Sequence, residues 1–209
     1  MNAAVLLPVK AFGAAKARLA SALTSAERQT LVRWTTARVL DAASELPTYV
    51  VCDDEEVASW VTARGAQVIW AEQLGLNGAV DHGVAEMSAL GHDHVIVVHA
   101  DLPIPSPLAA FSRQGTVTLV PDRRSDGTNL MSFPVATPVP AAYGPGSFTR
   151  HLSAAMTSGS AVEVIRDPRL ALDIDHPTDL LHPLVRPLIH EVLPTWLPTN
   201  PANPFPSTR

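Results

Sequence analysis

Three aspartates of this chain stand where a protein can hold a hard cation. Asp101 lies just after the apolar run 94–99, and Asp173 and Asp175 are separated by one apolar residue. Residues two apart in an extended segment point to the same face, and two like charges held that close need a cation between them. Mg²⁺ prefers one or two carboxylates together with substrate phosphates. The pattern favours a magnesium site, and the alternative is a set of ordinary turn and helix-capping aspartates.

Three cations follow the first apolar run. Lys10, Lys16 and Arg18 come directly after the run 3–7. Their loop is not a P-loop, because the stretch 13–16 lacks the first glycine and the chain lacks Ser or Thr after the lysine. The charge suits a polyphosphate lying across the loop, and the alternative is a solvated basic loop.

Two later loops combine glycines with hydroxyl groups. The segment 122–129 holds two arginines, a glycine that permits close approach and the hydroxyl of Thr128. The segment 143–148 contains Gly144 and leads through Ser147 into a predicted helix, whose free N-terminal amides favour phosphate or carboxylate. Either loop alone is as consistent with a turn and an N-cap, whereas the two together favour an anion pocket.

Alternating strand-like and helix-like patterns separate these segments. Predicted strands cover 3–7, 48–52, 66–70, 94–99, 116–120, 130–133 and 161–165, with a short extended piece at 170–175. Predicted helices follow the capping box of Thr24 and Glu27, run from Asn77 to Leu90 and from Ser147 to Met156, and begin again at Pro177. This alternation predicts an α/β fold, with a mostly parallel central sheet flanked by helices.

The carboxyl ends of parallel strands lie at one edge of a sheet, and ligands bind there. Lys10, Asp53 and Asp101 each come shortly after a predicted strand. We therefore expect these polar side chains to meet at a single edge, together with the loops that carry them.

Size and charge limit the classes of protein to consider. The chain has 209 residues, 46% of them apolar, with a net charge of −5 and the single cysteine Cys52. The negative charge argues against nucleic-acid binding, and no apolar run approaches the ~20 residues of a membrane span. Without a signal-peptide pattern, these features predict a soluble cytoplasmic protein. We expect one domain over 1–193 and a proline-rich tail over 194–209.

Several motifs together resemble one family. They are Leu-Pro-Val-Lys at 7–10, Ala-Lys-Ala-Arg-Leu at 15–19, Gly-Leu-Asn-Gly-Ala at 75–79, His-Ala-Asp-Leu-Pro at 99–103, Asp-Gly-Thr-Asn at 126–129, Gly-Pro-Gly-Ser-Phe at 144–148 followed by His151, and Leu-Asp-Ile-Asp at 172–175 followed by Pro177, Asp179 and Leu180. In this order they resemble the phosphoenolpyruvate / 2-phospho-L-lactate guanylyltransferases of deazaflavin coenzyme (factor 420) biosynthesis, over residues 3 to 181. The resemblance implies a single Rossmann-like nucleotidyltransferase domain, similar to the molybdopterin-guanine-dinucleotide transferases.

The resemblance also implies an activity and roles for individual residues. GMP would pass from GTP to phosphoenolpyruvate with release of diphosphate, and the labile product would be handed over transiently to the next enzyme of the pathway. The implied roles are magnesium binding for Asp101, Asp173 and Asp175, catalysis for these three with Lys16, acceptor binding for Thr128, Gly144 and Ser147, and nucleotide binding for Lys10, Lys16, Arg18, Asp53 and Asn77.

Other functions stay open at this point. The same enzyme could use 2-phospho-L-lactate or 3-phosphoglycerate, because these acceptors differ from phosphoenolpyruvate by very few atoms. A sugar-1-phosphate or molybdopterin nucleotidyltransferase usually has a glycine-rich first loop, which this chain lacks. A non-catalytic GTP-binding regulator would need the basic loop but not the three aspartates.

Overall fold

The apolar runs of the sequence become the strands of one seven-stranded sheet in the computed structural model, which describes residues 1–196. The strands are β1 (Ala3–Pro8), β2 (Thr48–Cys52), β3 (Gln67–Trp70), β4 (His94–Val98), β5 (Thr116–Pro121), β6 (Thr128–Pro134) and β7 (Ala161–Val164). The α-helices are α1 (Ser25–Ala42), α2 (Glu55–Thr62), α3 (Gly75–Ala89), α4 (Ser147–Thr157) and α5 (Arg186–Val192). Among these described helices, none is long and apolar enough to cross a membrane.

The strand order of the sheet is β3-β2-β1-β4-β6-β5-β7. β6 runs antiparallel to β4 and β5, while every other neighbouring pair is parallel. The predicted mostly parallel α/β architecture is therefore confirmed. Because β6 is reversed, its first residue lies at the same edge as the last residues of β1, β2 and β4.

Apolar side chains cover both faces of the sheet. Along β1, Val5 and Leu7 pack into a cluster with residues of α1 and α2, and Leu6 packs into a cluster with residues of α3 and α4. Each of these three side chains is fully buried. A strand buried on both faces reads as a continuous apolar run, as predicted for a central parallel strand.

Two helices begin at other residues than predicted. α1 has the predicted capping box, in which Thr24 and Glu27 each accept from the backbone of the other. α3 begins at Gly75 rather than at a cap by Asn77, because the Asn77 amide oxygen accepts a hydrogen bond from the backbone of Tyr143 at 2.7 Å. Ser147 is the first residue of α4, and Gly146 takes the N-cap position.

The segment after β7 differs more from expectation. Residues 170–175 form no strand, and Pro177 begins a 3₁₀ helix (Pro177–Leu181) that precedes α5. The packed domain continues past the predicted boundary at 193, because Trp196 is buried and its indole N–H donates to the carbonyl of Ala22 at 3.1 Å. Residues 197–209 of the predicted tail lie outside the described residues.

Gly83 lets α3 pack closely on β1, and a substitution there should test that contact. A Cβ atom at Gly83 would lie 2.8 Å from the Cδ atoms of the buried Leu6. Valine has a better helix propensity than glycine, so any loss of stability in Gly83→Val reports overpacking. We expect a loss of about 2 kcal/mol in the free energy of unfolding, measured by urea denaturation.

The matched control is Ala85→Val, because Ala85 lies exposed on the same helix. It should change the free energy of unfolding by no more than about 0.6 kcal/mol. Equal losses in the two variants would contradict the close packing of α3 on β1.

Candidate functional site

Charged side chains from three separate segments meet at the carboxyl edge of the sheet. The Lys16 ammonium lies 2.6 Å from Oδ2 of Asp101 and 3.6 Å from Oδ1 of Asp175. Arg18 forms a hydrogen-bonded ion pair with the other oxygen of Asp175. Asp173 is close enough to raise the pKa of Lys16. The structure therefore brings together Lys16, Arg18 and the three predicted aspartates.

The loop that carries Lys16 is held by an aromatic anchor. Phe12 is fully buried and packs edge-on against Trp60, with ring centroids 5.3 Å apart. The guanidinium carbon of Arg33 lies 4.2 Å from the centre of the Phe12 ring. Lys16 itself has left-handed backbone geometry, with φ +57°, which is uncommon for a residue with a side chain. The anchored loop thus directs the Lys16 side chain, 11% exposed, into the acidic cluster.

The charges in this cluster change one another's protonation. Burial alone would lower the pKa of Lys16, but Asp101, Asp175 and Asp173 outweigh it and raise the pKa. Burial opposes ionisation of Asp101, yet Lys16 and His99 hold the pKa of that carboxyl below its usual value. Burial, together with the charge of Asp101, raises the pKa of Asp173 to about 6. Lys16 is therefore charged at neutral pH, whereas ionisation of Asp173 destabilises the folded protein.

One carboxylate oxygen in the cluster has no partner. Asp101 Oδ1 is buried and accepts no hydrogen bond from any described residue, although Lys16 occupies Oδ2. Within residues 1–196, no group of three or more acidic, histidine or cysteine side chains is arranged to enclose a metal ion. The Ile174 amide donates to the Asp101 carbonyl at 3.2 Å, which keeps the 173–175 segment beside Asp101. The cluster thus offers a buried acceptor oxygen with an ammonium beside it.

Asp179 holds the backbone of Asp175 in place. Its carboxylate accepts from the amides of Asp175 and His176 at 2.9 and 2.7 Å, and it is ion-paired with Arg123. The anion pocket around Arg123 stays a prediction: its guanidinium is ion-paired with Asp179, and the residue lines a cavity of about 360 Å³ with Asp122 and Arg166. Asp179 belongs to the last of the family motifs but received no predicted role; its position three residues after His176, as in a capping box, is the sequence signal for one.

The two predicted anion loops are joined through Asp126. Its side chain accepts from the Gly146 amide at 3.1 Å, and its carbonyl accepts from the Phe148 amide at 2.9 Å. Gly144 and Gly146 have φ angles of +119° and +71°, which a residue with a side chain rarely adopts. Thr128, Gly144 and Ser147 are therefore carried by two loops that form one unit.

A cavity lies at the ends of β1 and β2. Its volume is about 370 Å³. It is lined by residues of the first loop, β2 and α3, namely Pro8, Val9, Lys10, Ala11, Ala14, Val51, Cys52, Asp53, Ala71, Gly75, Leu76 and Ala79. Lys10 and Asp53 thus share one cavity. Asn77 was expected at the nucleoside but does not line this cavity, because its side chain holds the backbone of Tyr143.

A row of three rings in tilted and edge-on contact connects the acidic cluster to the Thr128 loop. The ring centroids of His99 and Tyr143 are 4.9 Å apart, as are those of Tyr143 and His151. His99 Nδ1 lies 4.0 Å from Asp101, and His151 Nδ1 lies 2.9 Å from the Thr128 hydroxyl. His99 and His151 belong to two of the family motifs, but the sequence did not predict this row of rings, since its members are 44 and 8 residues apart along the chain.

Solved structures with this fold are nucleotide-handling transferases. A protein of Desulfovibrio desulfuricans assigned to the nucleotide-diphospho-sugar transferases superposes with a TM-score of 0.73 at 15% identity, covering 88% of this chain and 87% of the other. A nucleotidyl transferase from Methanothermobacter thermautotroptrophicus gives a TM-score of 0.60 at 17% identity, covering 90% and 98%. At these identities the likeness establishes the fold.

Sequence relatives identify the family of the chain, which the solved structures do not. A phosphoenolpyruvate guanylyltransferase of Sphaerobacter thermophilus is 35% identical over 190 residues, covering 86% of this chain and 91% of its own. One of Conexibacter woesei is 34% identical over 193 residues, covering 86% of each chain. Residues 3–187 match the family described as "Guanylyl transferase CofC like". The chain therefore belongs to the CofC-like guanylyl transferase family.

Proposed function

We propose that this protein transfers GMP from GTP to phosphoenolpyruvate and releases diphosphate. Membership of the guanylyl transferase family and relatives named phosphoenolpyruvate guanylyltransferase support this function. The observation that carries it is the cluster of Lys16, Asp101 and Asp175, which adjoins the Lys10–Asp53 cavity through the first loop. The row of rings formed by His99, Tyr143 and His151 connects the same cluster to Thr128.

We propose that the two substrates occupy the two sides of this cluster. The guanosine lies in the cavity of about 370 Å³, a size within the range of small-molecule pockets. Its phosphates extend across the first loop toward Lys10, Lys16 and Arg18. The acceptor lies against Thr128, Gly144 and Ser147. This order places the α-phosphate of GTP at the cluster, where the two substrates meet.

The proposed reaction needs charge neutralisation rather than a general base. A phosphate oxygen of the acceptor attacks the α-phosphorus of GTP, the bond from that phosphorus to the bridging oxygen breaks, and diphosphate leaves with the electron pair. Because the attacking phosphate is already ionised, no proton has to be removed. Lys16, kept charged by its carboxylate neighbours, can stabilise the negative charge that develops on the transferred group.

The unpartnered oxygen of Asp101 supports a magnesium site, although the three aspartates do not enclose an ion among the described residues. Asp101 Oδ1 is a buried acceptor oxygen without a partner in the described chain, and such an oxygen is a suitable ligand for a hard cation. We propose that Asp101, Asp173 and Asp175 hold Mg²⁺, which when bound neutralises phosphate charge and orients the phosphates.

We further propose that the protein acts in the cytoplasm, and that its labile product is handed over transiently to the next enzyme.

Substituting Asp101 tests its role in the reaction. With GTP, Mg²⁺ and phosphoenolpyruvate, the wild-type protein should release diphosphate, and Asp101→Asn should lower kcat/KM at least about 100-fold, equivalent to roughly 3 kcal/mol. The matched control Asp41→Asn alters an exposed carboxylate on α1 and should leave the rate unchanged. Full activity of Asp101→Asn in a coupled diphosphate assay would refute the assignment.

A mass-spectrometric acceptor screen tests the substrate. GTP and Mg²⁺ are incubated separately with phosphoenolpyruvate, 2-phospho-L-lactate and 3-phosphoglycerate. We expect the guanylylated product of phosphoenolpyruvate to form fastest. Faster turnover of another acid would keep the reaction and change the acceptor, whereas tight GTP binding without turnover of any acid would indicate a GTP-binding regulator.

Lys16 should act as the counter-charge of the cluster when magnesium is absent. Lys16→Met removes the ammonium but keeps the stem, leaving Asp101 buried and unpaired. In EDTA, we expect the variant to lose about 3 kcal/mol in the free energy of unfolding. Millimolar Mg²⁺ should raise its Tm more than that of the wild type. Lys10→Met, an exposed residue of the same loop, serves as the control; equal Mg²⁺ responses in all three proteins would contradict this role.

The raised pKa of Asp173 predicts how stability changes with pH. The folded-state pKa is about 6, above the ordinary value of 3.8, so ionisation of Asp173 costs stability as pH rises through about 6. Asp173→Asn cannot ionise. In EDTA it should be more stable than wild type at pH 8, by on the order of 2 kcal/mol, and equally stable at pH 4. Urea denaturation at both pH values, with Asp41→Asn as control, measures this; a difference at pH 4 as large as that at pH 8 would contradict it.

A further inference from the structure

His151 makes two hydrogen bonds that together fix its proton. The residue is fully buried on α4. Its Nε2 atom accepts a hydrogen bond from the backbone amide of Ala142 at 2.9 Å. A ring nitrogen that accepts from an amide carries no proton, so the single proton of the neutral ring is on Nδ1. Nδ1 lies 2.9 Å from Oγ1 of Thr128 and therefore donates to it.

This bond determines what the Thr128 hydroxyl can do. Oγ1 accepts from His151, and its own hydrogen has no acceptor among residues 1–196. Thr128 is only 2% exposed, so water does little to satisfy that hydrogen. A buried hydroxyl with an unused hydrogen is a donor directed at whatever binds against it. An oxygen of a carboxylate or phosphate would satisfy it.

The surroundings keep the ring neutral. Burial, with smaller contributions from Arg150 and His99, lowers the pKa of His151 to about 4. Protonation would also place a second N–H against the Ala142 amide. At neutral pH, Thr128 is therefore hydrogen-bonded to the neutral form of His151 that carries its proton on Nδ1.

The same ring joins the parts of the acceptor side. It lies on α4, binds Ala142 in the loop before α4, and binds Thr128 at the start of β6. The neighbour of Thr128, Asn129, accepts from the amide of His99 through its carbonyl at 3.0 Å, and Asp101 follows His99 by two residues. Thr128 is thereby kept in register with the acidic cluster.

We propose that His151 is a positioning residue for the acceptor acid: it holds the Thr128 hydroxyl as a hydrogen-bond donor to a carboxylate or phosphate oxygen of that acid. The inference rests on the proposed function, because the acceptor is the ligand of Thr128. His151 itself does not touch the substrate and exchanges no proton with it.

A double-mutant cycle tests whether His151 acts through Thr128. His151→Phe keeps a ring in place but removes both hydrogen bonds, and Thr128→Val removes the hydroxyl. Each single variant should raise the KM for the acceptor about tenfold, the worth of one hydrogen bond to a charged group, and leave the KM for GTP within about twofold. The double variant should be no worse than Thr128→Val, because the two residues contribute one interaction.

Two conservative variants keep the test decisive if His151→Phe folds poorly. His151→Asn retains an amide donor for Thr128 and should recover most of the acceptor affinity. Thr128→Ser retains the hydroxyl and should keep a KM close to that of the wild type. A purely structural role would instead lower Tm, raise both KM values together and allow no recovery by His151→Asn.

The outcomes separate the two proposals. If wild-type protein turns over an acceptor acid but the losses of His151→Phe and Thr128→Val add in the double variant, the positioning role is wrong and the guanylyl transfer stands. If the wild type turns over none of the three phospho-acids, the proposed function fails and the inference fails with it. Non-additive losses confined to the acceptor KM support both.

Discussion

The ion pair between Lys16 and Asp101 is the interaction on which the site depends. It joins residues 85 apart in sequence, at a separation of 2.6 Å and out of contact with most of the solvent. Two such charges are stable there only as a pair, because each alone would be buried without compensation. The pair therefore holds the first loop beside the end of β4. Phe12 packs behind the loop that carries Lys16, and Asp179 binds the backbone of Asp175, the second carboxylate beside Lys16.

The reversed strand β6 gives the site its second half. A purely parallel sheet would place only strand ends at this edge, with their loops leading away into helices. Because β6 is antiparallel to β4, the edge also receives the beginning of a strand, and Thr128 is brought beside the end of β4. Asp126 then ties this strand start to the glycine turn before α4. One change of strand direction thus brings Thr128 and the glycine turn before α4 to the edge that carries the acidic cluster.

Local patterns predicted the elements, and long-range contacts decided the exceptions. The strands and the Thr24 capping box follow from apolar runs and from spacing within a few residues. Asn77 has a good capping side chain, yet it binds the backbone of Tyr143, 66 residues away, and α3 begins earlier. Arg123 resembles an anion ligand, yet Asp179, 56 residues away, engages it. Spacing could group Asp173 with Asp175, and the family resemblance added Asp101 and Lys16, but the contact between Lys16 and Asp101 is visible only in the fold.

The protonation states at this site indicate which kind of reaction its residues can support. A histidine whose pKa is about 4 is a weak base at neutral pH, and His151 has both ring nitrogens engaged. Burial also lowers the pKa of His99, whose side chain is partly exposed. The cluster instead contains a permanently charged ammonium and acids whose ionisation it controls. Such a set suits a reaction whose nucleophile arrives already ionised, because the protein then needs to orient and neutralise phosphates rather than remove a proton. The neutral His151 is consistent with that chemistry, because its ring binds the Ala142 amide and the Thr128 hydroxyl without adding a charge that would compete with the substrates.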